Sequence, residues 1–103
     1  MQRTKLTLSQ IMLPHQINLG GNVHGGELFK LMDMIAGAVC QQYAKTTIVT
    51  VRVDDLQFFS PVFVGDYVCC TARIAYVGNS SIDVLVTAEA EGLKTGTPLH
   101  RVA

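Results

Sequence analysis

Charge of one sign is missing from this chain: eight Lys and Arg stand against eight Asp and Glu in 103 residues, a formal net charge of zero. That balance excludes the electrostatic footprint that nucleic acid or an anionic membrane surface requires, so any anionic ligand must be held by local groups. Long apolar runs are missing too. No stretch is long enough to cross a bilayer, and the first ten residues, MQRTKLTLSQ, lack the apolar core of a signal peptide. The resulting expectation is a cytoplasmic protein. Cysteine is scarce, three in all, and an odd number without a secretion signal argues against a disulfide framework. Cys69 and Cys70 are adjacent in a strand pattern and point to opposite faces, so they cannot chelate one metal together. His15, His24 and His100 have no zinc-ligand spacing.

Several motifs are absent as well. The run LGGNVHGG is rich in glycine, yet it has no GK[ST] ending and no βαβ unit after it, which excludes a phosphate loop and a dinucleotide fingerprint. There is no GxSxG nucleophile elbow, no internal repeat and no low-complexity tract.

What is present is one long helical pattern, Asn22 to Lys45, reading NVHGGELFKLMDMIAGAVCQQYAK. A polar Asn22, the pair Gly25 and Gly26, and Glu27 in the first turn mark its start. At 100° per residue, Leu28, Leu31, Met32, Ile35, Ala36, Val39 and Tyr43 fall on one face, with Lys30, Gln41 and Lys45 opposite. Asp33 stands apart from the solvated side. Its angular neighbours are Phe29, Gly37, Cys40 and Ala44, three of them small. Helix geometry leaves two readings open there: a rim carboxylate with a hydrogen-bonded partner, or one facing a substrate channel or a second helix.

The remainder reads as strand. Lys5 to Met12 alternates and is stopped by Pro14. Thr46 to Phe59 is a long strand whose phase changes at Asp54 and Asp55, which a bulge or bend would reconcile. Val68 to Tyr76 and Ile82 to Ala90 alternate cleanly around a two-residue Gly78 and Asn79 connection, a hairpin signal resting on positive φ. Glu91 to Pro98 is a loop, and LHRVA begins a further strand. One helix followed by successive strands predicts an α+β fold with an antiparallel sheet. At 103 residues the chain is a single domain, residues 1–103, near the lower end for a stable monomer, so partner subunits are expected.

Three segments in this order and spacing, GNVHGGELFKLMD, VTVRVDDLQFFSPVFVGDYV and VGNSSIDVLVTAEAE, resemble the hotdog-fold acyl-CoA thioesterases, nearest to the cytosolic acyl-CoA hydrolases and their small bacterial relatives. The resemblance covers nearly the whole chain. It implies a long central helix wrapped by an antiparallel sheet of at least five strands, with the last strand in sequence lying inside the sheet. Much of that strand would lie beyond Ala103, so the domain is expected to be incomplete at its C-terminus.

The resemblance further implies thioester hydrolysis of acyl-CoA to CoA and a carboxylic acid, with no metal or organic cofactor, since CoA is part of the substrate. It implies a homodimer with the site at the subunit interface, extended in this group to a trimer of dimers. The family's catalytic acid falls on Asp33 and its polar partner on Asn22. A backbone amide of Gly25 or Gly26 polarises the thioester carbonyl, the two contributions coming from different subunits. His24 is read as structural or substrate-lining. Gly78, Ser80 and Ser81 match a segment near the CoA moiety, with ordinary strand initiation as their plain alternative. Arg52, Arg73 and Lys94 are all candidate phosphate partners.

The chemistry is reasonable physically. Negative charge builds on the carbonyl oxygen, amides at a helix start are ready donors to it, and Asp33 acts as general base or as nucleophile. The competing reading keeps the fold without catalysis, as an acyl-CoA or CoA binding regulatory module. A hotdog dehydratase would need a differently placed histidine and acid pair on helix and loop, and the helix beyond its glycine pair holds no histidine.

Overall fold

The computed structural model of the protein describes residues 5–13, 25–45, 55–79 and 81–103. Five elements follow one another: β1 (Lys5–Ile11), α1 (Gly25–Ala44), β2 (Asp66–Val77), β3 (Ile82–Gly92) and β4 (His100–Arg101). The strands form one antiparallel sheet in the order β1-β2-β3-β4. α1 packs across β1, β2 and β3. The architecture is α+β with one central helix, as the order of elements predicts.

Periodicity decides which side of α1 is buried. Leu28, Leu31, Met32, Ile35, Val39 and Cys40 are buried, whereas Lys30, Gln41 and Lys45 are exposed. Ala36 and Tyr43, expected on the apolar face, are half-buried at its margin. Cys40, expected only as a small neighbour of Asp33, belongs to the core, so the strip beside Asp33 borders that core directly. Full burial of a Leu, Ile, Val or Met contributes about 1.5–3 kcal/mol, and no other feature of the helix approaches that. The Glu27–Lys30 ion pair, at 3.2 Å, is largely exposed and adds little. α1 ends where Lys45 turns left-handed, φ 61°, its N–H donating to Gln41 O at 2.7 Å.

The sheet meets the helix with short side chains. Cys70 and Ala72 of β2 and Ala88 and Ala90 of β3 are completely buried, opposite each other in register as Cys70↔Ala88 and Ala72↔Val86. Further along the hairpin, Ile74, Ile82, Val84 and Val86 pack against the same core. The expected alternation fails at one point. A bulge between Ile74 and Tyr76 inserts Ala75, and the Tyr76 ring, expected inward, is exposed.

The turn is also longer than expected. The ladder closes at Val77↔Ile82, and Gly78 N–H donates to Ser81 O at 2.8 Å, so residues 78–81 connect the strands in place of the expected two-residue Gly78–Asn79 connection. Gly78 and Asn79 do not carry the expected positive φ, which among the described residues belongs to Lys45, Gly65 and Gly96.

Residues 46–54 of the expected strand from Thr46 lie outside the described residues. Asp55 to Phe59 carry no ladder of their own, but Phe59 N–H donates to Val102 O at 2.8 Å. On its other side this final segment bonds to β3, Val102 N–H to Ala88 O at 2.9 Å. The last strand in sequence therefore sits between β3 and residues 55–59, as the resemblance implies.

β1 is joined to the start of β2 by a turn built on Gly65, φ 88°. Gly65 N–H donates to Met12 O at 2.9 Å, Met12 N–H to Asp66 O at 3.0 Å, and Phe63 N–H to the Asp66 carboxylate at 3.0 Å. A side chain at position 65 has room but the wrong backbone. Gly65→Ala should cost about 1–2 kcal/mol, seen as a thermal midpoint lowered by about 4–8 °C per kcal/mol in a domain of this size. An unchanged midpoint would mean that the turn relaxes out of the left-handed region.

Candidate active site

The start of α1 is two glycines in succession, Gly25 and Gly26, both exposed. Helix geometry leaves their N–H groups without partners inside the helix and gathers positive potential there. The Phe58 ring lies on Gly25: its Cε2 and Cζ atoms are 3.2 and 3.3 Å from where a Cβ would stand. Gly25 is thus the point where the segment Asp55 to Phe59 meets the helix. Around Gly26, nothing among the described residues outside the helix's own backbone comes within 4 Å of such a Cβ.

Asp33 is half-buried on α1. Seven residues separate it from Gly26, which is about 10 Å along the axis and almost two full turns, so the two project from nearly the same side. Buried Cys40 lies on the same side of the helix, two turns further on. Gly37 lies there too, where a Cβ would have nothing within 4 Å. The carboxylate and the amides thus stand about two turns apart on one rigid helix.

Of the remaining candidates, Asn22, His24 and Ser80 lie outside the described residues. Gly78 and Ser81 close the β2–β3 hairpin. Ser81 is seven residues along β3 from Ala88, the residue bonded to the same final segment as Phe59, which is roughly 23 Å of extended chain. One chain therefore brings Gly25, Gly26 and Phe58 together, sets Asp33 on the same helix face, and holds the hairpin tip apart.

Two features escaped sequence reasoning. Phe58 against Gly25 is a contact between residues 33 positions apart, and no local pattern announces it. The other is an open groove of ≈ 370 Å³ where the 60–66 and 92–97 loops face each other, lined among others by Ser60, Phe63, Asp66, Lys94, Thr97 and His100. His100 Nδ1 donates to Pro98 O at 2.9 Å. Of the three basic candidates, Lys94 lines this groove, Arg73 is exposed on β2, and Arg52 lies outside the described residues.

Residues 20–97, which hold both the helix start and Asp33, match the family model of the thioesterase superfamily. The chain belongs to that superfamily. Protein VdlD of Helicobacter pylori is 37% identical over 98 residues, covering 95% of this chain and 56% of its own length. Acyl-CoA thioester hydrolase YciA of Escherichia coli is 37% identical over 79 residues, covering 77% of this chain and 60% of its own. The chain thus spans little more than half the length of these curated relatives. Among solved structures, the hexameric thioesterase y2039 of Yersinia pestis superposes with a TM-score of 0.86 at 34% identity, covering 92% of this chain and 80% of that one. The α+β architecture is the hotdog fold of these thioesterases.

Thiol chemistry plays little part in this superfamily member's site. Burial pushes the Cys70 thiol up to about 11, with the neighbouring Cys69 adding to the shift, and burial also raises Cys40. Both stay protonated and poorly nucleophilic at neutral pH. Cys69 is half-buried on the outer face of the sheet and its Sγ accepts from the Ser9 hydroxyl at 3.2 Å. Iodoacetamide at neutral pH should therefore alkylate Cys69 well before the other two, read by peptide mass mapping. Because the folded state holds the Cys70 proton more tightly, its contribution to stability is intact below the ordinary thiol range and is lost as pH rises toward and past about 11. Cys70→Ser should flatten that alkaline decline in a denaturation series; an identical decline would assign it to other groups.

Proposed function

We propose that the protein is an acyl-CoA thioester hydrolase whose site is assembled from two chains. The observation that carries this reading is the placement of Asp33 and Gly26 on one side of α1, two turns apart, in a chain of the thioesterase superfamily. Neither group suffices alone, and a second copy with its helix alongside supplies to each what the first lacks. The hexameric state of the Yersinia relative and the hydrolase activity of the Escherichia relative support the same reading.

The reaction then runs as follows. The thioester carbonyl oxygen sits at the start of α1 and accepts from the N–H of Gly25 or Gly26. As the carbon becomes tetrahedral its oxygen gains negative charge, which the amides and the helix dipole stabilise without reorganising. From the partner chain, Asp33 either removes a proton from the attacking water or attacks the carbon itself to give a mixed anhydride that water then opens. Both routes release CoA thiol and a carboxylic acid. Asn22 orients the water or the carbonyl, and His24 lines the approach. Gly78, Ser80 and Ser81 contact the CoA moiety of a substrate bound across the boundary, which agrees with a hairpin tip far from its own chain's helix start.

The chain is expected to release CoA from acyl-CoA, followed with a thiol reagent. Asp33→Ala should lower kcat by about a hundredfold or more while moving the thermal midpoint little, because the carboxylate is not part of the apolar core. Tight CoA binding without turnover would favour the regulatory module instead. A single turnover in 18O-labelled water tests the routes: label in Asp33 marks the nucleophilic route, with water opening the anhydride at the Asp33 carbon, whereas label in the product acid alone marks attack of water on the acyl carbon. Light scattering should give a dimer or a hexamer, and a stable, active monomer would remove the two-chain site.

A further inference from the structure

We propose that Phe58 is the specificity-determining wall for the acyl chain, its ring seated on Gly25 beside the amides that receive the thioester. The inference rests on the acyl-CoA hydrolase reading above and adds to it the side chain that measures the substrate's apolar part.

The ring's position is fixed from two directions. Gly25 has no side chain, so ring atoms Cε2 and Cζ come within 3.2 and 3.3 Å of its missing Cβ position. Next along the chain, the Phe59 N–H is bonded to Val102 O at 2.8 Å, and the Phe59 ring carries the Arg101 guanidinium 5.0 Å from its centroid. In an extended segment successive side chains point to opposite sides. Phe59 therefore takes the Arg101 side, and Phe58 takes the helix side.

Seated there, Phe58 is still 48% exposed. Part of the ring lies against Gly25, and about half of the side chain stays open beside the first residue of α1. A thioester whose oxygen meets the Gly25 or Gly26 amide has two arms. The CoA arm is polar and the same in every substrate, whereas the acyl arm is apolar and varies. An exposed aromatic ring seated on Gly25 gains free energy that varies between substrates only with the apolar arm, since the CoA arm is common to all of them. Gly25 thereby acquires a second role, since any larger residue would push the ring away from the amides it flanks.

The test compares the unvaried protein with Phe58→Leu and Phe58→Tyr on acetyl-, butyryl-, hexanoyl- and decanoyl-CoA. CoA release gives kcat and KM, and calorimetry gives the affinity of the matching non-hydrolysable S-alkyl-CoA thioethers. Phe58→Leu should raise KM and thioether Kd by less than about twofold for the two-carbon ligand and by about tenfold for the ten-carbon one, with kcat little changed. Phe58→Tyr, which keeps the ring, should retain the original profile. Light scattering and thermal melting confirm that assembly and folding are unaltered, and Phe58→Met replaces the Leu variant if that one does not fold.

A loss uniform across chain lengths, a gain with the longer chains, or equal losses in the Leu and Tyr variants would overturn the proposal. Failure of the underlying hydrolase reading looks different. The unvaried protein would then release no CoA from any substrate, while the thioether affinities would still report whether Phe58 senses chain length.

Discussion

A helix can lie flat on a β-sheet only where the side chains between them are short on one side or the other. In this protein the sheet supplies the short ones. Cys70, Ala72, Ala88 and Ala90 form a floor with no solvent exposure, and Leu28, Leu31, Met32, Ile35 and Val39 of α1 fill the space above it. Replacing one of those large side chains by Ala would remove about 2–5 kcal/mol, a large share of the 5–15 kcal/mol that holds a small domain folded. The position of the helix is therefore fixed by packing, and everything carried on the helix is fixed with it.

The candidate chemistry depends on that rigidity. An amide pair at Gly25 and Gly26 and a carboxylate at Asp33 are about 10 Å apart along a rod that cannot bend enough to bring them together. Distance within one chain becomes an argument about assembly. The same rod that keeps the groups apart presents both from nearly one side, where a second copy can meet them. Gly37, one turn on from the acid, adds no side chain on that side of the rod.

Sequence reasoning succeeded where the pattern is local and periodic. The helix from its glycine pair to Lys45, the alternation of β3 and the paired strands around Gly78 all follow from spacings of 3.6 and 2. It slipped where one residue breaks the period. Ala75 is an ordinary residue in an ordinary strand, yet its insertion turns Tyr76 outward and shifts the register of everything between it and the hairpin tip. A bulge of this kind depends on what the facing strand can pair with, which no single strand's sequence contains. Cys40 likewise had the angle of a marginal residue and proved to be core.

By itself the sequence determined the helix, its apolar face, the antiparallel strands and the family, along with Asp33 and the glycine pair as the groups worth testing. These are properties of neighbouring residues, set by backbone geometry and hydrophobic periodicity. Only the tertiary structure decided that Phe58 rests on Gly25, that Lys94 lines a groove opposite the turn at Gly65, that the final segment runs between β3 and Phe59, and that the hairpin tip stands far from its own chain's helix start. Those are contacts between residues distant in sequence, and they exist only because burying one helix face against one sheet face brings particular parts of the chain together and keeps others apart.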